Sequence, residues 1–204
     1  MSLSDTRDRV VLLGRFLAPE ADGGVERFAP SQAVSLRCRW AKPDTMSSII
    51  RTAQPTDVPT LVQLVKDLAE YEKAPHEVRL TDELLHASLF GPQPALFAHV
   101  VEVDGMVVGM AIWFLNYSTW LGTHGIYLED LYVQPEFRGR GLGKKLLQTL
   151  AELAVERGYE RFQWWVLNWN QPAIDVYRAI GAAPMDEWTV FRLSDEALVT
   201  FAKA

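Results

Sequence analysis

The chain has 204 residues, 49% of them hydrophobic and 11% aromatic, which suits one domain with a true core and excludes a disordered chain. It carries 20 basic and 26 acidic side chains, of which residues 46–204 hold 13 and 20, so nucleic acid is excluded as the main partner. No stretch approaches the ~18 apolar residues of a membrane span, the N-terminus lacks a signal-peptide core, and the single cysteine, Cys38, leaves no disulfide framework, so a cytoplasmic protein is expected.

Residues 1–45 contain Gly23-Gly24, three prolines and scattered arginines, with little periodicity beyond Val10 to Leu17. They read as a poorly ordered N-terminal extension, either an appendage or a misassigned start, with the domain proper spanning 46–204. Ile49 to Ala53 is a first strand. Thr56 or Asp57 can cap a helix with apolar positions at Val58, Leu61, Leu64, Val65 and Leu68, running to Glu72 and broken before Pro75. Thr81-Asp82-Glu83 starts a second helix, stopped at Gly91-Pro92. Leu96 to Val103 and Met106 to Tyr117 flank Asp104-Gly105, a type I′ hairpin signal.

Tyr127 to Val133 reads as a buried strand carrying two acids, Glu129 and Asp130, and Gln134-Pro135-Glu136 ends it. A regular strand sends those two acids to opposite faces. Then come Arg138, Gly139, Arg140, Gly141, Leu142, Gly143 and Lys144, followed by Leu146, Leu147, Leu150, Leu153 and Ala154 at helical spacing and Gly158 as the stop. Glycines let a backbone approach a ligand closely, and a helix start offers unpaired N–H groups and a positive dipole end. Arg138, Arg140, Lys144 and Lys145 add four cations within eight residues, which favours a phosphate or pyrophosphate. A Walker loop is excluded because Lys144 is followed by Lys145, and a dinucleotide fingerprint because its third glycine position is Lys144. Arg161 to Leu167 is a further strand, Gln171 to Ile180 a helix ended by Gly181, Glu187 to Leu193 a last strand, and Ser194 caps a short terminal helix. The fold class is α/β (α+β), with helices around one mixed, mostly antiparallel sheet.

Arg138-x-x-Gly141-x-Gly143 directly after a strand resembles the acyl-CoA pyrophosphate loop of the GNAT superfamily of N-acetyltransferases. The element order over 46–204 matches that fold. Asn170-x-x-Ala173-x-x-x-Tyr177-x-x-x-Gly181 resembles the family's second signature, in which the asparagine and helix start lie beside the acyl arm of acetyl-CoA. Tyr71-Glu72, Leu80-Thr81, the run Tyr127 to Val133, and Trp169-Asn170-Gln171-Pro172 resemble the spermidine/spermine (diamine) acetyltransferase branch. That resemblance implies amine contacts from Tyr71, Glu72 and Glu129, and backbone contacts to the acyl arm from Leu131, Tyr132 and Val133. It also implies pyrophosphate binding by Arg138 to Lys144, and a cofactor channel lined by Trp165, Asn170, Gln171, Pro172 and Ala173, with Tyr177 at the sulfur. The branch has an acid where this chain has Asn168. It further implies a homodimer, with which the hydrophobic C-terminal segment agrees.

An alkylamine has a pKa near ~10.4, so roughly one molecule in a thousand is a neutral nucleophile near neutral pH. The expected roles are therefore Glu129 as general base, with Glu72 positioning the ammonium, and Tyr177 as general acid for the leaving thiolate. A backbone N–H of the Glu129 strand is expected to polarise the carbonyl. His76, His86, His99 and His124 show no ligand spacing, so no metal is implied. The sequence-level expectation is an acetyl-CoA-dependent N-acetyltransferase acting by direct transfer on a small primary amine, a polyamine or a thialysine-like amino acid. The alternatives are a protein or peptide N-acetyltransferase and a non-catalytic acyl-CoA sensor.

Overall fold

A computed structural model describes residues 47–204. The N-terminal extension and Cys38 lie outside the described residues. The elements are β1 (Ser48–Thr52), α1 (Val58–Tyr71), α2 (Asp82–Phe90), β2 (Phe97–Val103), β3 (Met106–Ser118), β4 (Thr123–Val133), α3 (Leu142–Glu156), β5 (Phe162–Gln163), α4 (Gln171–Ala179) and α5 (Asp195–Phe201). They form one five-stranded sheet in the order β1-β2-β3-β4-β5, in which β1 to β4 pair antiparallel and β5 joins β4 in parallel.

Each face of the sheet is covered by the apolar stripe of a helix. On one face α3 buries Leu142, Leu146, Leu147, Leu150 and Ala154 against Val101, Ala111, Trp113, Ile126 and Leu128. On the other, α1 and α2 bury Leu61, Leu64, Leu85 and Leu89 against Val100, Met110, Ile112 and Tyr132. Full burial of one such leucine contributes about 1.5–3 kcal/mol, so the two stripes fix where the helices sit. The hairpin expected at Asp104-Gly105 is formed, with φ of 49° and 82°, the double positive pair a type I′ turn requires.

The first helix starts at Val58, but the expected cap works differently. Asp57 stands at the N-cap, and its carboxylate accepts from the Gln54 N–H at 2.7 Å and takes a two-point ion pair from Arg51, at 2.6 and 3.0 Å. Arg51 also donates through Nε to Glu102 at 2.9 Å, so one guanidinium ties β1 to the start of α1 and to β2. This partnership holds the Asp57 carboxyl below its ordinary range.

Two expectations at the C-terminal end differ from the structure. The strand expected over Arg161 to Leu167 is reduced to Phe162–Gln163, paired with Ile126 and Tyr127. The strand expected over Glu187 to Leu193 is not formed. Its apolar side chains, Trp188, Val190, Phe191 and Leu193, are exposed, with Phe191 at 92%. Alternation there describes a strand that needs a neighbour, and among the described residues none pairs with it. Ser194 does stand at the start of α5, without a side-chain capping bond.

Replacing Asp57 by Asn is expected to cost about 2 kcal/mol, because Arg51 keeps Glu102 but loses the two-point ion pair to its more buried partner. Since the folded pKa of Asp57 is lowered, its contribution is complete above the normal carboxylate range and is lost as pH falls through the folded value. Urea unfolding should therefore show a constant gap between wild type and variant at neutral pH, closing only below about pH 4.

Candidate active site

β4 is the strand on which the site is built, and it is not regular. Ile126 and Leu128 pack on the α3 side, as do Leu131 and Val133, so the facing residues change from even to odd numbers. The change falls at Glu129, which has no partner in the register: Leu128 pairs with Trp113 and Asp130 with Ile112. This bulge corrects the expectation that Glu129 and Asp130 face opposite ways. With one residue inserted between two regular stretches, both acids fall on the α1/α2 face. Glu129 is exposed, and Asp130 is half-buried with a carboxyl pushed up to about 7, by burial first and then by Glu129 and Glu72. Glu72, at the end of α1, is also raised by burial. The sequence reading passed over Asp130; the signal lay in the apolar residues around it, since Leu128 and Leu131 cannot share a face in a regular strand.

After β4, the Pro135–Phe137 turn leads into the glycine loop. Gly139 and Gly141 have φ of 74° and 75°, a region that disfavours any side chain, and nothing lies within 4 Å of where their Cβ atoms would be. Gly141 is the N-cap of α3 and brings no capping side chain. The first bond of the helix runs from the Lys145 N–H to the Gly141 carbonyl, so the N–H groups of Leu142, Gly143 and Lys144 precede it. An open cradle of N–H groups at a positive helix end fits a pyrophosphate. The cations are placed unevenly around it. Lys144 is exposed, Lys145 reaches Ser48 Oγ at 3.3 Å, and Arg140 stacks over Phe137 at 5.4 Å. Arg138 turns back, donating through Nε to the Val133 carbonyl at 2.8 Å, with its guanidinium 5.1 Å from the Tyr71 ring and 5.2 Å from the Tyr132 ring.

β4 and β5 pair over only two residues, and the chain after Gln163 departs from the sheet. That divergence brings the second signature alongside. Trp165 meets Tyr127 edge-on at 5.8 Å, and Trp164 meets Tyr177 of α4 at 5.0 Å. Asn170 is the N-cap of α4, its Oδ1 accepting from the Ala173 N–H at 3.4 Å, while Gln171 and Pro172 form the first turn. Tyr177 packs against the α3-side core, yet its hydroxyl pKa is raised by burial, then by Glu72 and Tyr71 on the other face. The structure thus gathers Tyr71, Glu72, Asp130 and Tyr177 at the opening between β4 and β5. Leu131 and Val133 pack toward the α3-side core, and Tyr132 toward the other. His99 accepts from Trp113 Nε1 at 3.1 Å, which is packing chemistry. No group of metal-binding side chains occurs among the described residues.

The model of the Acetyltransferase (GNAT) family matches residues 61–182. The chain belongs to that family and is an N-acetyltransferase. It is 39% identical over 161 residues to a thialysine N-epsilon-acetyltransferase of Bos taurus, covering 74% of this chain and 94% of that protein. It is 31% identical over 163 residues to the spermidine/spermine N(1)-acetyltransferase-like protein 1 of Homo sapiens, covering 75% of this chain and 23% of that one. Among solved structures, an aminoglycoside N-acetyltransferase in complex with CoA superposes with a TM-score of 0.60 at 20% identity, over 74% of this chain and 97% of that one. The fold expected from the sequence is the fold found.

Two outcomes test this geometry. Replacing Gly141 by Val forces a branched side chain into left-handed backbone in the cradle, and is expected to weaken CoA binding at least ~10-fold in calorimetry. Asp130→Asn is expected to stabilise the protein at about pH 8, because the folded pKa lies above the unfolded one and ionisation opposes folding as pH rises between them. The gain should shrink as pH falls from the folded value toward the unfolded one and vanish below about pH 3, where the carboxyl is protonated in both states.

Proposed function

We propose that this protein transfers acetyl from acetyl-CoA directly to a small primary amine, a polyamine or a thialysine-like amino acid. The observation that carries the reading is the bulge in β4, which brings Asp130 and Glu129 to the face where Glu72 closes α1. Three carboxylates around one opening suit a cationic acceptor with more than one charge. The names of the acetyltransferases at 39% and 31% identity support the same class of acceptor.

The roles follow from position. When bound, acetyl-CoA supplies the activated acetyl thioester. Gly139 to Lys144 would hold its pyrophosphate, with Arg138 buttressing the loop; Leu131 to Val133, Trp165 and Asn170 to Ala173 would line its acyl arm. Glu72 faces the amine, and Glu129, with Asp130 beside it, accepts the ammonium proton. The neighbouring Asp130 carboxyl, pushed up to about 7, is ionised above that pH and still basic enough to take the proton on. Tyr177, raised by burial and by its acidic neighbour, keeps its proton until a thiolate needs it. The backbone N–H of Glu129, which has no partner in the register, would polarise the carbonyl oxygen.

The reading includes a cytoplasmic homodimer. Its support is the tail, in which Trp188, Phe191 and Phe201 are 67%, 92% and 74% exposed, beside a two-residue edge strand that a second copy could extend.

CoA release with spermidine, spermine, thialysine, lysine and a basic peptide tests the acceptor class, and turnover of the peptide alone would overturn it. Tyr177→Phe is expected to lower kcat at least ~10-fold, about 1.4 kcal/mol of barrier. The kcat/KM profile is expected to rise with pH through about 7, and Asp130→Asn should displace that limb.

A further inference from the structure

The end of α1 and the start of α4 are far apart in sequence and face each other across the opening between β4 and β5. Three contacts join them. The Tyr71 hydroxyl donates to Asn170 Oδ1 at 3.1 Å, across 99 residues. The Tyr71 ring lies 5.7 Å from the Trp169 ring, and Lys73 Nζ lies 5.6 Å from the same indole. Beneath Tyr71, the Arg138 guanidinium sits 5.1 Å from its ring and is itself fixed by the Val133 carbonyl. Lys73 reaches Trp169 from a backbone φ of 64°, which a non-glycine residue adopts only when its surroundings hold it there.

We propose that Tyr71 is a positioning residue for acetyl transfer, linking the glycine loop through Arg138 to the first turn of α4 through Asn170, and so setting the place of Tyr177. Asn170 Oδ1 is shared: it accepts the Tyr71 hydroxyl and caps the Ala173 N–H, so the hydroxyl fixes the rotamer that starts α4. Tyr177 lies seven residues along that helix, two turns from the cap. A shift of the first turn is carried as a rigid body to the tyrosine. The same contact spans the opening and bounds the space beside Glu72 and Asp130.

This role rests on Tyr177 being the acid, and it differs from the amine contact that family resemblance gives Tyr71. An amine contact raises KM for the amine; a residue acting through Tyr177 lowers kcat and loses its effect when Tyr177 is replaced. The test has two arms on the full chain. In the first, kcat and amine KM are measured for wild type, Tyr71→Phe, Tyr177→Phe and the double variant. Tyr71→Phe keeps the ring and its stacking and removes one hydroxyl, so the fold is retained, as thermal unfolding will show. The expected result is a fall in kcat of ~5-fold or more, amine KM within ~2-fold, and no further loss in the Tyr177→Phe background. A raised amine KM at unchanged kcat, or losses that multiply, would overturn the proposal.

The second arm reads CoA affinity by calorimetry in Tyr71→Phe, Asn170→Ala and their double variant, and needs no turnover. Weakening of ~3-fold or more by each, with the double no worse than either, supports the link. Unchanged affinity in Tyr71→Phe, or weakening that multiplies in the double, overturns it. Wild type that turns over no amine while the second arm shows coupling would remove the proposed reaction and keep the link.

Discussion

One inserted residue in β4 governs the site. A regular strand can serve two buried faces but cannot present two adjacent acids to one side, because its side chains alternate strictly. The bulge at Glu129 lets Ile126 and Leu128 pack under α3, lets Leu131 and Val133 do so again, and leaves Glu129 and Asp130 together on the opposite face. Val133 then delivers the chain to the glycine loop from within the same core, and a side chain added at Gly143 would stand 3.9 Å from the Val133 side chain. The cradle therefore follows the acids along the chain, from the second half of β4 through the Pro135–Phe137 turn to the start of α3.

Much of this was legible beforehand. The loop at 138–144 and the helix after it follow from composition and spacing, since glycine at φ near 75° and leucines at helical intervals each have a local cause. The hairpin at Asp104-Gly105 and the stop at Gly181 are local in the same sense. What escaped was non-local. Asp57 reads as a helix cap until Arg51 is seen to claim it. Glu129 and Asp130 read as opposed until the register against β3 shows a bulge. Glu187 to Leu193 has the pattern of a strand and, among the described residues, no strand paired with it. In each case the sequence states what a residue prefers, and a distant partner decides whether it is satisfied.

The opening between β4 and β5 has the same origin. Parallel pairing stops after Ile126 and Tyr127, and the chain that leaves β5 carries Trp164 toward Tyr177 and Trp165 toward Tyr127. The bulge begins two residues beyond the last pair. A strand that bends there cannot keep a straight neighbour, so the feature that gathers the acids also separates the strands beside them. Tyr71 and Asn170 then reach across the gap where backbone pairing ends.

Two aspartates of this domain make the chemical point. Both Asp57 and Asp130 are drawn out of water, and their carboxyls move in opposite directions, the first lowered and the second raised to about 7. Burial acts on both in the same sense, so the difference lies in the company. Asp57 has a guanidinium at two points and a backbone N–H, whereas Asp130 has two further acids and, among the described residues, no cation or hydrogen-bond donor. A carboxylate left in that state opposes folding. Under the proposed reaction the missing cation is the acceptor itself: an ammonium group arriving between Asp130, Glu129 and Glu72 does for Asp130 what Arg51 does for Asp57. Binding then relieves the cost of an unpaired carboxylate on that face, and Glu129 beside it takes the proton that the amine must lose.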